Sequence, residues 1–150
     1  MTKIHKTAIV PYSAEQMYVL VNDIETYPQF LPWCKSASIL SQNGTHIVAS
    51  IAMGISGLEK SFTTNNVLEP NNSIEMRLLE GPFSHLHGFW KFQQLGHDGC
   101  KISFDMQFEI TNKLLKMTLG PVFSKIVNSL VDAFVKRANE LYGKSKSYPR

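Results

Sequence analysis

The feature that most constrains the fold is the apolar run from Pro121 to Tyr142. Val122, Phe123, Ile126, Val127, Leu130, Val131, Phe134, Val135, Ala138, Leu141 and Tyr142 recur at intervals of three and four, which on a helix gathers them into one broad stripe. Lys125, Asn128, Asp132, Lys136, Asn139 and Glu140 fall on the opposite side. So wide a stripe needs an apolar partner surface of similar size. The segment from Trp33 to Ile110 supplies one, because its apolar residues recur at the two-residue period of strands. The expectation is a long C-terminal helix gripped by a curved sheet. Gly120-Pro121 marks its expected start, since proline fits a first turn and breaks an interior. Leu114, Leu115, Met117 and Leu119 before it read either as a separate turn or as the same helix kinked at the proline. Gly143 is the expected stop, which leaves one domain over residues 1–143 and a polar, frayed tail over residues 144–150.

Strands are expected near residues 34–42, 45–55, 59–69, 73–80, 84–95 and 99–110. The turns between them are Gln42-Asn43-Gly44, Ser56-Gly57, Glu69-Pro70-Asn71-Asn72, Gly81-Pro82 and Gly96-His97-Asp98-Gly99, all rich in turn formers. The last strand is the clearest, with Ile102, Phe104, Met106, Phe108 and Ile110 inward and Ser103, Asp105, Gln107 and Glu109 outward. Six strands joined by short turns make an antiparallel meander. A seventh, Lys3 to Val10, sets Ile4, Ala8 and Val10 against Lys3, His5 and Thr7 and ends at Pro11. After it, Ser13 with Gln16 forms a capping box and Tyr12 with Met17 a hydrophobic staple, opening a helix that buries Met17, Leu20, Val21 and Ile24. Tyr27 to Cys34 admits at most one short helix, with Pro28 in its first turn and Pro32 ending it. The order is strand, two helices, six strands, long helix. That is an α+β fold, an antiparallel sheet of about seven strands wrapped around the C-terminal helix.

Composition narrows the function. The chain has 150 residues, 43% of them hydrophobic, enough for one domain with a true core. No apolar run reaches the length of a membrane span, and Met1 to Lys6 lacks the apolar centre of a signal peptide, so a cytoplasmic location is expected; transient contact with a membrane surface stays compatible with this. A net charge of +3 falls short of a nucleic-acid footprint, and no DNA partner is expected. Cys34 and Cys100 fit no metal or redox spacing and read as reduced thiols. His85 and His87 share one face of a strand, yet no third ligand of matching geometry accompanies them, so they read as a solvated pair and no metal is expected. Asp23, Glu25, Glu80, Asp105 and Glu109 form no recognisable dyad, and there is no phosphate loop, nucleophile elbow or zinc motif. The expectation is a protein that is not an enzyme, with no catalytic residue and no required cofactor.

The stretch Val10-Pro11-Tyr12-Ser13-Ala14-Glu15-Gln16-Met17-Tyr18, continuing through Leu20-Val21-Asn22-Asp23-Ile24 to Tyr27-Pro28-Gln29-Phe30-Leu31-Pro32-Trp33-Cys34, resembles the coenzyme Q-binding and ribosome-association-toxin family of the START-like, helix-grip superfamily. Gly81-Pro82-Phe83, Gly88-Phe89-Trp90-Lys91-Phe92 and Phe108-Glu109-Ile110-Thr111-Asn112 are similar to it as well, so the resemblance covers nearly the whole chain. It implies one of two activities. Eukaryotic members are linked to ubiquinone and respiration, and a bacterial member is described as a toxin that blocks association of the ribosomal subunits. The chain shows no mitochondrial presequence, which favours the bacterial branch.

The helix-grip architecture implied by the resemblance leaves a cavity between sheet and helix. Its expected walls are Met76 and Leu78, Trp90 and Phe92, Phe104, Met106 and Phe108 from the strands, and Phe123, Val127, Leu130 and Phe134 from the helix. Such a wall suits an apolar ligand, and would equally suit a core filled by its own side chains. Phe30, Leu31 and Trp33, held between two prolines, read as a lid or a docking surface, or else as a plug at one end of the sheet. Lys113, Lys116, Lys125, Lys136 and Arg137 lie where an exposed helix back could meet ribosomal RNA of the large subunit, or simply face solvent. The leading expectation is therefore binding of ubiquinone or a related isoprenoid quinone in support of respiration. The rival is a ribosome-association toxin of a type II toxin–antitoxin pair, and a cyclase-like enzyme ranks third.

Overall fold

The computed structural model describes residues 1–55 and 57–146, with residues 144–146 described as backbone only. Strands β1 (Thr2–Val10), β2 (Cys34–Asn43), β3 (His46–Ile55), β4 (Leu58–Glu69), β5 (Ser73–Glu80), β6 (Phe83–Leu95) and β7 (Gly99–Ile110) form one antiparallel sheet in the order β1-β7-β6-β5-β4-β3-β2. The meander β2 to β7 is as expected from the turns, and β1 returns to pair with β7 from Thr2 opposite Phe108 to Val10 opposite Cys100. Along β7 the alternation is complete: Ile102, Phe104, Met106, Phe108 and Ile110 are all buried on the concave face. Both edges of the sheet have cover. Helix α2 (Lys113–Lys146) packs against β1, and the 3-10 turn Ile24–Gln29 packs against β2. There the Glu25 carboxylate accepts the Ile39 backbone N–H at 3.1 Å, pairing one donor of the edge strand.

Helix α1 (Ala14–Asn22) starts as its sequence dictates. Ser13 Oγ accepts from Gln16 N at 3.1 Å while Gln16 Oε1 accepts from Ser13 N at 2.9 Å, and Tyr12 and Met17 are both buried. It ends earlier than the apolar period suggests. Ile24 is buried, but it opens the 3-10 turn instead of closing α1. Pro28 consequently sits near the end of that turn and not in its first residues. The turn closes past the proline, with the Phe30 and Leu31 N–H groups both donating to the Tyr27 carbonyl.

Helix α2 takes the second of its two expected forms at the start, one helix running through the proline, and passes its expected stop. It is continuous from Lys113 through Pro121 and Gly143 to Lys146. Asn112 provides the start, its Oδ1 accepting from Leu115 N at 2.7 Å. Pro121 lies inside the helix, so the Met117 carbonyl four residues earlier lacks its usual donor. Burial of Leu119, Phe123, Ile126 and Val127 on either side of the proline holds the helix together. Gly143 does not end it, because the last turn is anchored: Tyr142 Oη donates to the Gln16 carbonyl at 3.2 Å. The rest of the expected tail, residues 147–150, lies outside the described residues, as does Ser56 of the expected Ser56-Gly57 turn. Among the described residues no helix is long and apolar enough to cross a membrane.

Candidate functional site

A cavity of about 60 Å³ lies between the concave face and α2. Of the expected wall, Met76, Trp90, Phe104, Met106, Phe123, Val127, Leu130 and Phe134 line it, and so does Trp33 of the expected lid. Leu130, expected on the buried stripe, is half-buried at its border. Five expected residues stand elsewhere. Phe92 is further along the concave face, edge-on to Tyr18 of α1 at 5.8 Å. Phe108 packs on Phe123 and Phe83 at 4.8 and 6.2 Å. Leu78 is only partly buried and lies near Gly81. Leu31 is buried, with its carbonyl holding the Cys34 N–H at 2.9 Å, so it is packing at the base of the 3-10 turn. Phe30 rests on Phe134 from outside the cavity, ring centres 5.4 Å apart.

The wall also includes Ile24, Tyr27, Ala49, Ile51, Phe62, Thr64, Asn66, Leu86 and Ile126, which the sequence reading missed. Leu86 and Ile126 obey the same periods as their neighbours and were within reach of the pattern. Thr64 and Asn66 were not. They sit in a polar run, Thr63 to Asn66, where a register shift between Thr63 and Thr64 further blurs which face is which.

Aromatic rings occupy much of the space. Trp90 stacks on Phe104 at 4.2 Å and meets Phe134 edge-on at 5.4 Å, and Phe134 meets Tyr27 at 5.4 Å. An apolar cavity that takes up benzene measures about 150 Å³. A quinone ring therefore enters only if wall side chains move. Tyr27 Oη donates to the Val21 carbonyl, and burial, with Cys34 and Asp23 nearby, pushes its phenol far up. Burial pushes the Cys34 thiol up to about 11, and it raises Cys100 too, so neither is a thiolate nucleophile near neutral pH.

The α2 cations do not act as one set. Lys113, Lys125 and Lys136 are exposed. Lys125 and Lys136 are three turns apart on the outward face, roughly 16 Å along the axis. Lys116 is exposed but donates to Glu109 Oε1 at 3.0 Å, holding that carboxyl below its usual range, with the chain's amino group 3.5 Å from Oε2. Arg137 departs from the expectation of a free cation. Its side chain is 22% exposed, lies 5.1 Å over the Phe30 ring and donates to Gln29 Oε1 at 3.3 Å, so it ties the 3-10 turn to α2.

The histidine pair is not simply solvated. His87 Nε2 bonds Glu75 Oε2 at 2.7 Å and lowers that carboxyl, with Arg77 donating to the same oxygen at 2.9 Å. His85 Nε2 is buried without a partner among the described residues. No cluster of three or more His, Cys, Asp or Glu side chains suited to a metal occurs among the described residues.

Comparison with known proteins places these features. The model of a family described as polyketide cyclase/dehydrase and lipid transport matches residues 10–135. The chain is 45% identical over 142 residues to the ribosome association toxin RatA of Pseudomonas aeruginosa, covering 95% of this chain and 99% of that one. It is 27% identical over 145 residues to a Xenopus laevis mitochondrial protein named coenzyme Q-binding protein COQ10 homolog B, covering 94% of this chain and 59% of that one. A START superfamily protein of Mycobacterium smegmatis shares the fold with a TM-score of 0.78 at 23% identity, over 93% of this chain and 98% of that one.

Proposed function

Because the chain belongs to the polyketide cyclase/dehydrase and lipid-transport family, with a START-like fold, and within it stands beside the ribosome association toxins, we propose that it is a ribosome-directed protein of the cytoplasm. It binds the large ribosomal subunit and hinders joining by occupying space, with no chemistry and no cofactor. The observation that carries this reading is the extent of the likeness to a ribosome association toxin, which runs through almost the whole of both chains. The outward face of α2 supports it, since Lys113, Lys125 and Lys136 are exposed there and can replace counterions on RNA.

The test is sedimentation of purified protein with isolated subunits over a range of salt. Co-sedimentation with the large subunit is expected at low salt, falling steeply as salt rises. The double variant Lys125→Glu/Lys136→Glu is expected to weaken association about tenfold or more. Absence of binding at low salt, or binding indifferent to salt and to both substitutions, overturns the reading.

A second reading keeps the cavity as a site for an apolar ligand. Its support is a wall that is apolar but for Thr64 and Asn66, together with the more distant likeness to a coenzyme Q-binding protein. Ubiquinone or another isoprenoid quinone is the candidate for a role in respiration, and the wall has to open to admit it. Extraction of the purified protein followed by mass spectrometry tests this, and a lipid-free protein that takes up no quinone removes it.

A further inference from the structure

One cross-strand row forms the floor of the cavity. Asn66 on β4 stands opposite Met76 on β5, Met76 opposite Gly88 on β6, and Gly88 opposite Met106 on β7. The glycine lies beneath both methionines. A Cβ at position 88 would come 2.4 Å from Met76 Cε and 3.2 Å from Met106 Cε, so the two tips fill the space a side chain there would need. Methionine is unbranched and repacks easily. Turning the tips aside opens a slot floored by bare backbone and walled by the stacked rings of Trp90 and Phe104, whose planes lie within 25° of each other.

The row is polar at one end. Asn66 is 4% exposed and takes a hydrogen bond on Oδ1 from Thr64 Oγ1 at 2.8 Å. Among the described residues no protein group accepts from its amide nitrogen, and the side chain lines the cavity. Turning the amide over swaps the roles of its atoms and still leaves one of them for the cavity. The amide keeps a little accessible surface at the cavity instead of being sealed in the core, so a polar partner from outside the chain can reach it.

We propose that Asn66, braced by Thr64, is the polar recognition group of an inducible ligand site whose apolar part forms when Met76 and Met106 leave Gly88. The ligand class is a slim, planar, mostly apolar molecule carrying one carbonyl or hydroxyl at its end. The polar group pairs with Asn66, and the ring takes the place of the methionine tips. This deepens the ligand reading given above and rests on it.

The probes are indanone, a planar bicycle with one ketone, and indane, the same skeleton without it, titrated into the full chain by calorimetry. The unmodified protein is expected to bind indanone about tenfold more tightly than indane, the worth of one good hydrogen bond. Asn66→Leu is expected to erase that preference while leaving indane binding in place, and Gly88→Ala to weaken both probes by filling the slot. Nuclear magnetic resonance of the unmodified protein gives a readout that no misfolded variant can spoil: the Asn66 side-chain amide signals shift with indanone and stay with indane. If neither probe binds, the proposal falls, while the ligand reading is decided separately by the extraction and quinone-uptake test given above. Equal binding of both probes, an indanone preference that survives Asn66→Leu, or an unmoved Asn66 amide overturns the role of Asn66 and leaves the ligand reading standing.

Discussion

Phe134 joins three parts of the molecule through one ring. It is 1% exposed and meets Trp90 of the sheet, Tyr27 of the 3-10 turn and Phe30 just past that turn edge-on, each at 5.4 Å. Phe134→Ala is expected to cost about 3–5 kcal/mol in urea unfolding, because three packed rings lose their common neighbour. Leu130→Ala is expected to cost less, below about 2 kcal/mol, since that side chain already borders a cavity and solvent. Equal losses at the two positions would contradict this placement. Cys34 offers a test by pH. Its thiol is raised from 9.0 to about 11 in the folded state, so the folded chain holds the proton longer than the unfolded one. That contribution is intact below pH 9 and is lost as pH climbs toward 11, so stability falls across this window. Cys34→Ala is expected to make the fall shallower. An unchanged slope means the thiol titrates as it does in the unfolded chain. Which residues were legible follows from the same physics. Phe104 and Phe134 obey simple periods, and period alone puts them inside. Asn66 breaks its period in polarity, because its place is set by a neighbour strand and not by a preference for the interior. Arg137 looked like one more cation, since its partner Phe30 lies more than a hundred positions away.

At the scale of the element, helix α2 shows how tertiary packing overrides a local rule. A proline within a helix costs about 3 kcal/mol or more, and on that ground the sequence reading marked a helix start at Pro121, with one helix kinked at the proline as the alternative. The apolar stripe extends back to Leu119, and Asn112 caps a turn before that, so the helix forms across the proline. The sequence reading did not consider Asn112 as a cap, because Gly120-Pro121 drew the start to itself. Pro121→Ala is expected to restore the missing bond to the Met117 carbonyl and raise stability by about 1–3 kcal/mol in thermal unfolding, the gain trimmed by the freedom it returns to the unfolded chain. A loss of stability would show that the proline's shape, and not merely its tolerance, is part of the packing. The 3-10 turn gives the opposite case, an element that depends on its neighbour. Arg137→Ala is expected to speed amide hydrogen exchange at Phe30 and Leu31 while exchange in β7 stays unchanged, because the cation over Phe30 and the bond to Gln29 are lost and the sheet is untouched.

For the molecule as a whole, architecture was the most legible property, because a helix stripe and six alternating strands admit few arrangements. The position of β1 was not fixed by its own residues, for a half-buried strand suits either edge of a sheet. Its pairing with β7 sets Thr2 opposite Phe108, one of the longest closures available to this chain. Topologies rich in such distant pairs fold slowly, and refolding from urea is expected to take milliseconds to seconds. Stopped-flow refolding completed in microseconds would contradict that. The closure has a further consequence in time. Synthesis runs from the N- to the C-terminal side, so β1 is made before the other strands and waits for β7, while β2 to β7 can zip together hairpin by hairpin. Throughout that wait the sheet has a bare apolar face and an open edge, the kind of surface that chaperones hold and that neighbouring unfinished chains join. Its cover, the 34 residues of α2, is made after all seven strands. All seven strands therefore exist before the helix that shields them, and that order of synthesis sets when the chain is most open to such joining.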